Sequence, residues 1–230
     1  MPLRHTAASF NASGSPDLVL ALLADARLPV GGHTQSAGVE PAMAQGLTSA
    51  EVPAFVAGRL RTVVAVEAGT AVVARHHVLA GADLRPVRLA WAARTPSGPL
   101  RTASENLGRG YLRLAGRLWP HPVWATFERT PPRPLVLGAI AAIAGLDAAR
   151  LVRLCGHEDV ATVSAAVLKL DPLDPLVTTG WVLAAHPLVE ELVTRCASLT
   201  DPGEIPATSA PLVEQLSVQH SHAKQRLFHA

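Results

Sequence analysis

The sequence predicts an all-α protein: a single helical domain of roughly eight to ten helices, with a mobile N-terminal arm and a C-terminal tail. Three observations carry this prediction. Apolar residues recur at helical spacing along most of the chain, helix start and stop signals punctuate it, and no stretch alternates apolar and polar residues as a half-buried strand does. Apolar residues make up 49% of the chain but aromatics only 4%. A core of Ala, Leu and Val suits helices that approach one another closely.

The elements follow in order. Residues 1–15 read as the arm, 16–224 as the helical domain and 225–230 as the tail. Ser15 and Pro16 open the first helix, as N-cap and first helical residue. "LPVGGHTQSAG" interrupts the pattern, and a short helix over about 36–45 then stops at Gly46, with Ser36 as its N-cap. Thr48 and Glu51 form a capping box and Leu47 with Val52 a hydrophobic staple. The helix that they start runs to about Leu79. "LRPVRLAWAAR" is a further short helix, and a second capping box, Thr102 with Glu105, starts the next. "WPHPVWATFERTPPRP" (119–134) is a proline-rich, exposed connection. Pro134 opens a small-residue helix ending at Gly145. Asp147 caps a long one, interrupted near Gly156. Asp174 and Pro175 open another, which Pro187 kinks or divides. "TDPGEIPATSAP" is a loop before the last helix.

Composition excludes several functions. With 20 basic and 18 acidic residues the formal net charge is +2, too balanced for a nucleic-acid or anionic-membrane surface. No apolar run reaches the ~18 residues of a membrane span. "LVLALLADA" has the length of a signal peptide's apolar core, but Asp17 stands where basic residues belong. Cys155 and Cys196 form no CxxC and read as buried, reduced thiols. The expectation is a soluble cytoplasmic protein.

Chemical motifs are sparse. The elbow lacks GK[ST], so it is no P-loop. Gln35 and Ala37 flank Ser36, so it is no nucleophile elbow. His76 and His77 are adjacent and diverge on a helix, and His220 and His222 lack a full ligand set. His157, Glu158 and Asp159 read as a helix-surface cluster. These residues argue against an enzyme and against a metal or cofactor held by this chain.

The stretch "LLADARLPVGGHTQSAGVEPAMAQGL" resembles the N-terminal signature of the UreF family of urease accessory proteins. There an apolar helix leads into Leu-Pro-x-Gly-x-Phe-Ser-x-Ser-x-Gly-Leu-Glu and a short helix ending in Gly. Leu28, Pro29, Gly31, Ser36, Gly38 and Glu40 match, while His33 replaces an aromatic and Gln35 departs from the usual residue. Residues 134–174 are similar to the family's small-residue helix and its long successor, and Arg226, Leu227 and Phe228 to its terminal Arg-Leu-Phe.

The resemblance implies a non-catalytic, dimeric scaffold. It would bridge the accessory protein UreD (also called UreH) and the GTPase UreG, so that nickel reaches apo-urease; nickel and GTP would be held by the partners. A histidine-using nickel metallochaperone is the alternative. The candidate partner-binding residues are Gly31, Gly32, His33, Ser36 and Glu40 at the elbow, and Arg226, Leu227 and Phe228 in the tail. Gly31 and Gly32 read either as a hinge or as an ordinary turn. Phe228 reads as an exposed anchor for UreD, with fold-back onto its own domain as the alternative.

Overall fold

The computed structural model describes residues 14–223 and 226–228. All of the expected arm except Gly14 and Ser15 lies outside them, as do Gln225, His229 and Ala230 of the expected tail. The described residues are all-α, with no strand among them. In order they form α1 (Pro16–Leu23), α2 (Val39–Ala44), α3 (Val52–Arg61), α4 (Val63–Leu79), α5 (Arg85–Arg94), α6 (Gly98–Leu118), α7 (Arg133–Ala144), α8 (Ala148–Leu170), α9 (Pro175–Ala184), α10 (His186–Cys196) and α11 (Pro211–Ser221). Only Thr62 separates α3 from α4, and only Ala185 separates α9 from α10. No helix among the described residues is long and apolar enough to cross a membrane.

Two helices form the centre. Along α4 every residue from Val64 to Ala74 is buried except Glu67, and α7 is buried on most of its circumference. Such all-round apolarity is what a helix enclosed by other helices requires. They meet through small residues: a Cβ at Gly138 of α7 would lie 2.3 Å from the Ala71 carbonyl oxygen and 2.8 Å from the Ala74 Cβ. Glycine is required there because the partner atoms are backbone, which cannot rotate away.

The remaining helices cover this pair. α6 packs on α7, α8 on α4, and α10 on both α8 and α4, while α11 lies against α6 and α2. Under α5 a smaller apolar cluster gathers Val66, Val73, Val87, Trp91, Leu135 and Ile205.

Several local expectations hold. The Thr48–Glu51 capping box is formed in full. Asp147 accepts from the Arg150 amide at 2.7 Å, and Asp174 caps the Leu176 amide at 2.9 Å. Ala185 and Pro187 divide α9 from α10 as expected.

Others are corrected. The helix expected to reach Leu79 breaks at Thr62 (φ −121°, ψ −93°), whose hydroxyl donates to the Gly58 carbonyl at 2.8 Å; such back-bonding bends helices. α6 starts at Ser97, whose Oγ caps Leu100, because Pro99 in the first turn sets the helix a turn before Thr102. α8 passes Gly156 without interruption, and the bare Cα seats Val189 of α10. The 119–134 connection is only partly exposed: Trp119, Pro131 and Pro132 are buried. α2 begins at Val39 behind Gly38, and Ser36 is not its N-cap.

The Gly138 contact yields a stability prediction. Gly138→Ala should lower unfolding free energy by about 3 kcal/mol, since overpacking against backbone cannot relax. In thermal circular dichroism that corresponds to a fall in midpoint of roughly 6–12 °C. An unchanged midpoint would mean that the α4–α7 crossing is looser than described.

Candidate functional site: elbow, cavity and tail

The elbow joins α1 to α2. Gly31 sits at φ +92° and opens a 3-10 turn over Gly32–Thr34, where the Thr34 hydroxyl donates to the Gly31 carbonyl at 2.8 Å. Ala37 (φ +52°) and Gly38 (φ +80°) then turn the chain into α2. α6 holds the elbow's near side: Arg113 Nη2 donates to the Pro29 carbonyl at 3.0 Å, and Val30 packs over Gly110. His33 is exposed, whereas Ser36 is completely buried and its hydroxyl has no partner among the described residues. On α1, Leu18 and Leu22 lie one turn apart and face solvent.

Behind the elbow a cavity of about 870 Å³ extends between α2, α6, α8 and α11. Its wall carries several paired charges. Arg133 of α7 pairs with Glu67 of α4 (3.3 Å) and with Glu158 of α8. Glu67 also accepts from Trp91 Nε1 at 3.0 Å and from the Ser104 hydroxyl at 3.4 Å, and Glu158 accepts from the Tyr111 hydroxyl at 2.5 Å. Beside them Arg59 Nε donates to Asp159 at 3.0 Å, while its buried Nη1 is unpartnered among the described residues. Glu158 and Asp159 therefore face the interior. The surface cluster read at 157–159 is corrected, because α8 turns those two carboxylates toward cations that come from α7 and α3.

Burial governs the titration of this set. Desolvation raises Glu67 above the ordinary carboxylate value, against the pull of Arg133 and the Trp91 hydrogen bond. Burial, with the neighbouring Glu158 charge, holds the Tyr111 phenol well above its ordinary value. Burial tends to lower Arg133, but Glu158 and its other neighbours outweigh that and leave it well above its ordinary value. Cys155, also on the cavity wall, is pushed by burial up to about 12, and Cys196 up to about 11. Both thiols are free and buried, and neither is a nucleophile at neutral pH.

The tail closes one side of the cavity. Leu227 and Phe228 donate their amides to the two oxygens of Glu40, at 2.6 and 3.0 Å. His220 Nε2 lies 3.2 Å from the Phe228 carbonyl and 3.5 Å from Glu40. The Phe228 ring is buried, with the Lys169 ammonium 5.1 Å from its centre, whereas Arg226 and Leu227 are exposed. Of the two readings of Phe228, the structure shows the fold-back. His220 is likewise buried.

The structure thus joins the elbow and tail candidates through Glu40, and Gly32 and the exposed His33 border the same cavity. Missing from the sequence reading were Glu67, Arg133 and Tyr111. A usable signal existed for two of them: Glu67 is the lone charge within "VVAVEAGTAVVA", and Arg133 the lone charge within "PPRPLVLGAI". Among the described residues no three His, Cys, Asp or Glu side chains gather as metal ligands.

Fold and site together define an all-α protein whose glycine elbow leads into α2, where Glu40 holds the Leu227 and Phe228 amides beside a charged cavity. The UreF family model matches residues 47–186. The chain is 35% identical to the urease accessory protein UreF of Mycobacterium sp. (strain JLS), over 91% of this chain and 96% of that one. It is 34% identical to the UreF of Mycobacterium marinum and 32% to that of Mycobacterium tuberculosis H37Ra, each over 91% of this chain and 97% of the relative. The chain belongs to the UreF family of urease accessory proteins.

Glu67 supplies a pH prediction. Its folded-state value is raised, so the stability associated with its protonated form is present below the ordinary carboxylate value of 4.5 and is lost as pH rises through the folded-state value. Glu67→Gln should remove that component, and urea midpoints of the variant should fall less than those of the parent above pH 4.5. Parallel profiles would show that Glu67 titrates as an ordinary carboxylate.

Proposed function

We propose that this chain is a non-catalytic, cytoplasmic scaffold in urease maturation. It bridges the UreD (UreH) accessory protein and the GTPase UreG, as a homodimer, and so supports nickel delivery to apo-urease. Nickel and GTP are held by the partners, and neither nucleic acid nor membrane is bound. Family membership across nine-tenths of the chain motivates the reading.

The observation that carries the partner surface is the outer face of the elbow. Exposed Leu18 and Leu22 run into a turn whose shape depends on left-handed Gly31, with exposed His33 beside it. An apolar pair beside a polar turn supplies both contact area and directional groups for a protein partner. Gly31, Gly32 and His33 contact UreD directly in this reading, together with exposed Arg226 and Leu227. Ser36, Glu40 and Phe228 hold that surface in place from within.

Gly31→Val tests the proposal. A Cβ at Gly31 meets nothing within 4 Å, so the substitution introduces backbone strain and no clash. The expected result is unchanged helical circular dichroism, with recovery of UreD in co-purification reduced at least tenfold and urease activation lowered in step. Full recovery of UreD and UreG by the variant would overturn the elbow's role. Stoichiometric, tight nickel binding by the purified chain alone would instead favour the metallochaperone reading.

A further inference from the structure

We infer that the outward face of α6 binds an acidic segment of a partner protein through Arg109, Arg113 and Arg117. The inference names the chemistry of the partner, and it rests on the elbow reading above only in placing that partner beside the elbow.

The three arginines follow one another at four-residue spacing, so they share one face of the helix. All three are exposed, and the helical rise spreads them over about 12 Å. Like charges so placed repel by about 0.2–0.5 kcal/mol per pair. The negative end of the helix dipole offsets this for Arg117, in the last turn, but not for Arg109 in mid-helix. Nor does a carboxylate offset it. Glu105 is the one acidic residue of α6, a turn before Arg109, and no ion pair joins them. Arg109 donates instead to Asn106 Oδ1 at 3.3 Å, and Arg113 uses one nitrogen on the Pro29 carbonyl. By contrast, Arg85, Arg88, Arg150 and Arg153, on other helices, each meet a carboxylate. The residues outside the described ones contain no Asp or Glu, so this chain has no further acidic side chain to lay over the face.

Two further features fit an acidic protein segment. Gly116, between Arg113 and Arg117, is exposed, and a Cβ there would meet nothing within 4 Å, so the fold itself has no need of a glycine. Glycine inside a helix costs up to about 1 kcal/mol relative to alanine. Its bare backbone lets another chain approach between the guanidinium groups, each of which can hold both oxygens of a carboxylate. The face is also continuous with the elbow, through the Arg113 bond to Pro29 and the packing of Val30 over Gly110. Three cations on a chain of net charge +2 fall short of the roughly six to ten phosphate contacts of a typical nucleic-acid surface.

The test uses the double variant Arg109→Gln/Arg117→Gln in the full-length chain, because Arg113 also holds the elbow. Both side chains are exposed and neither meets a carboxylate, so the helical circular dichroism should not change. The first probe is labelled octaglutamate, followed by fluorescence anisotropy at low ionic strength. Its affinity should fall at least tenfold in the double variant, return in Arg109→Lys/Arg117→Lys, and decline steadily with added salt. The second measurement is co-purification of UreD and UreG across a salt series: recovery by the parent should fall as salt rises, and recovery by the double variant should be low throughout. Unchanged octaglutamate affinity in the double variant would overturn the inference, as would an equal loss in the control Arg85→Gln/Arg129→Gln. Tighter binding of short duplex DNA or of phosphatidylserine vesicles, lost in the same double variant, would also overturn it and assign the face to phosphates. Octaglutamate binding does not involve the elbow, so a failed elbow reading leaves this result standing. Loss of octaglutamate binding with full recovery of UreD and UreG would support the acid-binding face and overturn its placement beside the elbow's partner.

Discussion

The fold depends on one guanidinium. Arg133 sits at the start of α7 with Glu67 of α4 on one side and Glu158 of α8 on the other, and hydrogen bonds to those carboxylates bring in Trp91 of α5 and Ser104 and Tyr111 of α6. Its own amide donates to the Ser104 hydroxyl at 3.2 Å. Five helices thus share one polar network. An apolar core of Ala, Leu and Val has few shape-specific contacts and tolerates sliding, whereas a buried charge accepts only the arrangement that satisfies it. Removal of the cation would strand two carboxylates away from water, the costly way to break such a set.

Close packing supplies the complementary constraint. Where α4 and α7 cross most closely, Gly138 lies against the Ala71 backbone and the Ala74 Cβ. Backbone contact of this kind sets distance between helices but says little about rotation. The charged network sets rotation. Together they leave space on the α6–α8–α11 side that no side chain fills, and that space is the cavity behind the elbow.

The sequence displayed much of this fold and little of the site, for a physical reason. Caps, prolines and capping boxes act over three or four residues, so Thr48–Glu51, Asp147, Asp174 and Pro187 were legible where they stand. Thr62 was not, because threonine is common inside helices and only its back-bond to Gly58 betrays the break. Thr102 and Glu105 had the spacing of a capping box, yet Ser97 with Pro99 made the earlier start. The partners of Arg133 lie 66 and 25 residues away, beyond any local pattern. Even so, a single charge in an apolar run, as at Glu67, announces a partner without naming it. Gly31 and Glu40 stood out through family resemblance, and the structure added that Glu40 faces the tail.

The Glu40 clasp also orders events in time. Its carboxylate and the amides that it binds are 187 and 188 residues apart. At translation speeds of 5–20 residues per second, that separation is on the order of 10 to 40 s. For nearly all of that interval Glu40 stands without the rest of its clasp, because α11 and His220 are made only at its close. His220 precedes Phe228 by eight residues, so the receptor is complete only about 0.4–1.6 s before the segment that it holds.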